Sequence, residues 1–277
     1  LTKTILGSSI LKEVGDRFEQ TGPLSAVSIP ATLYESLMAR LDRLPTAREV
    51  AQLGAVLGRE FAYEMLRELS RGDEWLLRDG LSQLVADELL YQRGRPPRAK
   101  YVFKHALIQD AAYQSLLKRT RRQYHKEVAQ LIEGRFPEQA VMEPELLAYH
   151  YMGAEMPREA ISYWIKAARR SASRSAYREA LGQLDSGHAL LQALPDDRER
   201  MQLELQLQVE RAFALVATQG MAAEKTTETF SAAHGLCRKL GDESKEAYSR
   251  VSWALAASTI TRSQWPQALA ITEELLD

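Results

Sequence analysis

One cysteine, Cys237, stands in the 277 residues. That scarcity excludes an internal disulfide framework and any multi-thiolate metal site. A lone cysteine in a helical context reads as a small buried hydrophobe. No apolar run approaches the roughly 20 residues that span a bilayer, and no leader pattern opens the chain, so no membrane is expected as a partner and the cytoplasm is the expected compartment. The phosphate loop Gly-x4-Gly-Lys-Ser/Thr is missing, as is Gly-x-Gly-x2-Gly, so these residues do not cradle a nucleotide triphosphate in that way. The histidines, His105, His125, His150, His188 and His234, form no HExxH or other compact metal motif, and no nucleophile elbow occurs. No catalytic residue and no metal ligand is assigned, and whether the longer protein is an enzyme is not decided by these residues.

A surplus of either charge is lacking too: 36 basic and 37 acidic side chains nearly cancel. With 45% hydrophobic and 26% charged residues, the composition is that of an ordinary globular chain of about two domains. Leu1 in place of Met and an uncapped end at Asp277 suggest a piece of a longer polypeptide.

Punctuation by turn residues and helical periodicity gives a mainly α reading. Ile10 to Val14 and Arg17 to Gln20 flank Gly15-Asp16, a hairpin signal. Pro30 suits a first helical position, and Leu33, Leu37, Leu41 and Leu44 come after it at helical spacing, with Met38 and Ile29 on the same face. Pro45 is expected to end that helix, with Thr46 as the next N-cap and Glu49 completing a capping box. Further helices are expected over 46–58, about 62–70, and from Asp73 to about 88. Two strands, Leu89 to Arg93 and Lys100 to Phe103, are separated by Gly94-Arg95-Pro96-Pro97-Arg98, which no central strand could contain. A helix opens at His105 and another runs over about 121–134. Helix followed by a two-stranded wing is the core of a winged-helix module.

After Pro137 the chain reads as pure helix. Ala160-x3-Trp164-x2-Ala167 and Ala180-x3-Leu184 share a small-large spacing, and Trp265-Pro266-Gln267-Ala268-Leu269 resembles Tyr177-Arg178-Glu179-Ala180-Leu181. Paired helices with alanines at their crossings suggest a tetratricopeptide-like solenoid, although the offset from Pro157-Arg158-Glu159-Ala160 to Tyr177 onward is 20 residues rather than 34. Met201, Leu203, Leu205, Leu207 and Val209 alternate with Gln and Glu, a strand's period. The Leu, Gln and Glu content, and the lack of a partner strand, assign helix instead.

Two features bear on binding. From Tyr91 to Lys126 ten Lys/Arg face one acid, Asp110, and Arg93, Arg95, Arg98, Lys100 and Lys104 fall on or beside the wing. They are candidate anion or partner contacts, or else solvated charges offset by the acidic remainder. The helix that would enter a DNA groove carries Asp73, Glu74, Asp79, Asp87 and Glu88 against Arg78 alone, which argues against DNA. His105, at a helix N-terminus that favours anions, is the sharpest single candidate; the competing reading is a histidine packed at a strand–helix junction.

Ile29-Pro30-Ala31-Thr32-Leu33 through Leu41-Asp42-Arg43-Leu44-Pro45, continuing to Ala51-Gln52-Leu53-Gly54-Ala55-Val56-Leu57-Gly58-Arg59-Glu60-Phe61, forms one block. Phe103-Lys104-His105-Ala106-Leu107-Ile108-Gln109-Asp110-Ala111-Ala112-Tyr113-Gln114-Ser115-Leu116-Leu117 forms another. These resemble the bacterial multidomain class III adenylate/guanylate cyclases that carry a STAND-type AAA ATPase followed by tetratricopeptide repeats. The resemblance implies that residues 1–45 end the ATPase module, 46–136 form a winged helix, and 137–277 form a sensor solenoid. It implies that His105 contacts the β-phosphate of bound ADP, although the family's Met-His-Asp triplet reads Lys104-His105-Ala106 here. No cofactor is implied within these residues; ATP or ADP and Mg belong to the parent. The implied partners are the upstream ATPase domain and an unidentified protein or peptide on the solenoid. A transcription regulator of related architecture and a plain helical scaffold are the alternatives.

Overall fold

The computed structural model describes residues 11–14, 17–20, 38, 41, 45–70 and 72–274. The chain is mainly helical and divides into two compact units, Leu1–Leu117 and Lys118–Asp277.

In the first unit, β1 (Leu11–Val14) and β2 (Arg17–Gln20) pair antiparallel with Leu11 opposite Gln20 and Val14 opposite Arg17, as the hairpin signal predicts; Gly15 and Asp16 lie outside the described residues. So does most of the expected helix from Pro30 through Leu33, Leu37 and Leu44, of which Met38 and Leu41 are described and Leu41 is fully buried. Helix α1 (Pro45–Leu57) corrects the reading of Pro45 as a terminator. Its missing N–H costs nothing at the first helical position, where that donor has no intrahelical partner, so Thr46 falls inside the first turn rather than at the cap.

Strand β3 (Glu60–Ala62), which three residues are too few to announce by alternation, comes directly afterwards. It leads to α2 (Tyr63–Leu69), α3 (Glu74–Ala86), β4 (Leu90–Arg93), β5 (Lys100–Phe103) and α4 (Ala106–Gln114). The sheet order is β3-β5-β4, antiparallel throughout, with Phe61 opposite Tyr101 and Leu90 opposite Phe103. Phe61 stacks on Tyr101 at 5.9 Å and tilts against Phe103 at 5.8 Å. A Cβ at Gly54 would sit 2.7 Å from the Phe61 ring, and one at Gly80 would sit 2.9 Å from Val50. Glycine therefore lets α1 approach both the sheet and α3.

The second unit is all helix: α5 (Lys118–Arg135), α6 (Pro137–Met142), α7 (Pro144–Gly153), α8 (Pro157–Ser173), α9 (Tyr177–Leu190), α10 (Arg198–Gln219), α11 (Glu224–Leu240), α12 (Lys245–Thr261) and α13 (Trp265–Glu274). The division after Leu117 groups α5 with these helices rather than with the 46–136 span. Most pack mainly on their neighbours in sequence; α5 packs chiefly on α7, and α8 also reaches α10.

The alternation in α10 has a physical reason. Residues two apart on a helix point about 200° apart, so an alternating run makes two opposite apolar stripes. Leu203 and Leu207 pack with Ile161, Ile165 and Leu184 on one side. Leu205, Val209 and Ala212 pack with Phe230, Cys237 and Val251 on the other. Cys237 is buried there, and burial raises its thiol pKa.

The internal similarity seen in the sequence is a repeated corner. Glu155, Ser175 and Ser263 all have left-handed φ, at 56°, 61° and 59°. At each, two backbone bonds close the preceding helix: Met156 N–H to Tyr151 O and Glu155 N–H to Met152 O at the first, with matching pairs at the other two, all at 2.9 to 3.0 Å. This is the Schellman arrangement. The next helix begins two residues later, and its fourth residue, Ala160, Ala180 or Ala268, is buried. Glycine adopts left-handed φ without steric cost, so Ser175→Gly is expected to raise stability by about 0.5–1 kcal/mol in urea unfolding. Gly54→Val is expected to lower it by about 1–3 kcal/mol through overpacking against Phe61, measured in the same way.

Candidate functional site

The junction between β5 and α4 is fixed by backbone bonds on both sides. Phe103 N–H donates to Arg59 O at 2.9 Å and Lys104 N–H to Leu89 O at 3.0 Å. His105 then takes an extended conformation as N-cap of α4 and makes no side-chain cap bond. Its imidazole is exposed. The competing expectation, a histidine packed at the junction or capping it, is therefore not met. The first-turn N–H groups of α4 are left without a side-chain acceptor from His105.

The five cations on or beside β4, β5 and their connecting turn separate into two kinds. Lys104 is bound to Glu88 at 2.8 Å and lies over the Tyr91 ring at 5.5 Å; the Glu88 hydrogen bond holds its pKa above the ordinary lysine value. Lys100 pairs with Glu60 at 3.3 Å across the sheet. Arg93, Arg95 and Arg98 are exposed and have no acidic partner among the described residues. The free part of the candidate anion surface is thus the three arginines at the end of β4 and in the β4–β5 turn, separate in the sequence from His105.

Helix α3 is capped by Asp73, whose carboxylate accepts from Trp75 N–H at 2.8 Å, as the sequence suggests. Its one cation is engaged: Arg78 donates to Glu74 at 2.6 Å and to the Tyr63 hydroxyl at 3.1 Å. Leu76 is 43% exposed, and Trp75 beside it is 66% exposed. This end of α3 offers acid and apolar surface, which suits a protein partner better than a phosphate backbone.

The second unit holds a buried histidine pair. His125 on α5 and His150 on α7 are both inaccessible, with their Nδ1 atoms 3.0 Å apart. One Nδ1 donates and the other accepts, so the accepting ring is neutral, and burial disfavours the charged form of both. Burial lowers the pKa of His125 to about 4, with Arg121 adding to it, and that of His150 to about 3, with His125 adding to it. A Cβ at Gly153 would lie 2.6 Å from the His125 ring. Sequence reasoning misses this pair: two histidines distant along the chain with no shared motif carry no signal of pairing, and helical spacing alone cannot show that α5 and α7 meet there. Nearby, Glu133 accepts from the hydroxyls of Tyr151 and Tyr163, each at 2.5 Å. Among the described residues no group of three or more His, Cys, Asp or Glu side chains is placed to hold a metal ion, and no helix is long and apolar enough to cross a membrane.

The chain is similar to an uncharacterized protein of Rhizobium meliloti (strain 1021), with 27% identity over 222 residues. The match covers 79% of this chain and 22% of that protein, so the chain spans about a fifth of the relative's length. No family model matches the chain, and no solved structure matches it.

The histidine pair gives the second unit a pH dependence of definite sign. Unfolding frees both rings to take protons near the ordinary value of 6.5, whereas the folded pair holds out to about 4 and 3. The unfolded state therefore binds more protons below pH 6.5, and stability falls as pH drops. The expected slope is about 1.4 kcal/mol per pH unit for each histidine between about pH 6 and 4. Urea unfolding at a series of pH values, compared with His125→Leu/His150→Leu, checks it: the double variant should lose most of that slope.

Proposed function

We propose that this chain is the regulatory, interaction-mediating segment of a nucleotide-switched signalling ATPase of the cyclase-linked STAND kind. In this reading the first unit holds a winged helix, with β4 and β5 as the wing, and the second is a tetratricopeptide-like solenoid that senses a protein or peptide partner. The observation that carries the reading is His105: an exposed imidazole with no side-chain cap bond, at the N-terminus of a helix that comes directly after the sheet. Such a position favours an anion. An ADP phosphate held by the upstream ATPase domain would accept from His105 and keep the module closed, and ATP, with Mg, would shift the balance. A two-state switch needs a contact that differs between the nucleotide states, and His105 supplies it. The solenoid reading is supported by helices that pack on sequence neighbours and by the repeated corners. The cytoplasm is the compartment this role requires.

A second reading, a transcription regulator of related architecture, draws on the unpaired arginines Arg93, Arg95 and Arg98. The acid-rich start of α3 and its engaged Arg78 count against entry into a groove.

The test is ADP retention by the longer polypeptide that carries these residues, wild type against His105→Ala, read as nucleotide released on denaturation. The proposal expects bound ADP in the wild type and its loss, by about tenfold or more, in the variant, with the circular dichroism spectrum unchanged because His105 is exposed. Equal ADP in both removes His105 from the mechanism. No ADP in either leaves a helical scaffold.

A further inference from the structure

Helix α6 exposes its apolar side chains instead of burying them: Val141 is 72% exposed and Met142 57%, and none of its residues is buried. They face a cleft of about 570 Å³ whose opposite wall is α8. Pro144 completes the apolar side. On α8, Tyr163, Lys166 and Arg170 recur every three or four residues, which sets them on one stripe of the helix.

Of the two cations on this stripe, Lys166 is positioned by an aromatic ring, and neither has an acidic partner among the described residues. The Tyr163 hydroxyl donates to Glu133 at 2.5 Å, and Lys166 Nζ lies 3.9 Å from the centre of the Tyr163 ring. Arg169, also on this wall, is occupied by Glu210 at 2.7 Å. Lys166 and Arg170 have no acidic partner among the described residues. Glu143, next to the apolar side, accepts from Gln139 along its own helix at 2.9 Å and does not line the cleft.

An apolar wall facing uncompensated positive charge selects among occupants. A nucleic-acid backbone would meet the cations but leave Val141 and Met142 against water. A purely apolar segment would leave Lys166 and Arg170 without counter-charge. A peptide segment that alternates apolar side chains with carboxylates satisfies both walls, and the cleft volume suits a few side chains.

We propose that the α6–α8 cleft docks an acidic partner segment, with its apolar side chains on Val141 and Met142 and its carboxylates on Lys166 and Arg170. The inference rests on this cleft alone and is independent of the nucleotide reading of His105. It assigns the partner-binding role to one wall of the second unit and gives the partner a chemistry.

Fluorescence anisotropy of the 277-residue chain with a labelled peptide of alternating leucine and glutamate tests it. Binding is expected to weaken with salt. It should fall by about tenfold or more for Lys166→Glu/Arg170→Glu and separately for Val141→Ser/Met142→Ser. All four side chains line a surface cleft, so the fold should persist, checked by circular dichroism. A lysine–leucine peptide and a serine–glutamate peptide should each bind at least about tenfold more weakly than the first. No binding of the leucine–glutamate peptide, equal binding of the charge-inverted peptide, or affinity unchanged in either double variant overturns the proposal. Preferential binding of phosphatidylserine vesicles or of single-stranded DNA, lost in Lys166→Glu/Arg170→Glu, overturns it in favour of those surfaces.

Discussion

A residue in left-handed conformation just past the end of a helix fixes where the chain goes next, and this device is used in both units. Glu88 has φ of 57°. With it in place, Leu89 N–H reaches Leu84 O at 2.9 Å and Glu88 N–H reaches Val85 O at 3.0 Å. Leu84 and Leu89 are both fully buried, the apolar contact that accompanies this cap. The corner thus ends α3 and delivers the chain into β4. In the second unit the same bonds at Glu155, Ser175 and Ser263 deliver it into another helix. The element after each corner is set by the residues there: Leu-Leu-Tyr-Gln after Glu88 makes a strand, whereas Pro157, Tyr177 or Trp265 leads into a helix with a buried alanine. None of the four corner residues is glycine. The local strain is offset by two hydrogen bonds to helix-end carbonyls that would otherwise lack them.

Helices with one apolar face are legible in the sequence, because periodicity reports burial directly: Leu77, Leu81 and Leu84 are inside, as their spacing indicates. Strands β4 and β5 are legible because a Gly/Pro turn separates them. Propensity assigns the alternating run in α10 to helix, but the reason for the alternation, packing on two sides at once, exists only in the tertiary structure. Strand β3 is illegible because its pairing energy comes from β5, some forty residues on, and three residues leave no pattern. Pro45 misleads because proline is compatible with the end of one helix and the start of the next, and the side chain alone does not distinguish them. The grouping of α5 with the later helices depends on long-range contacts through His125 and Glu133, which composition does not record.

The candidate site is legible in position and only partly in character. Ten basic residues gather between Tyr91 and Lys126, but their spacing does not show which are already neutralised. Glu60 and Glu88 lie 40 and 16 residues before their partners in sequence, yet they meet Lys100 and Lys104 through strand pairing and the α3 corner. That weakens the apparent positive field of β4, β5 and their turn and confines it to Arg93, Arg95 and Arg98. Exposed pairs such as these contribute little to stability. Their larger effect is on binding, since a paired lysine must be released before it can meet a phosphate.

The contrast between His105 and the pair His125–His150 shows why residue type alone could not locate function. All three belong to a helix or cap one. His125 and His150 satisfy each other in the interior, and burial suppresses their protonation across the physiological range; the packed pair stays neutral there, so it offers no charge change to a partner near neutral pH. His105 is outside, ahead of a helix whose first N–H groups receive no cap bond from it. A histidine that exchanges one partner for another must begin accessible, and its partner must bring its own charge. In this chain that condition is met at the β5–α4 junction and not between α5 and α7, which is why the nucleotide-sensing reading attaches to the exposed histidine and the structural one to the buried pair.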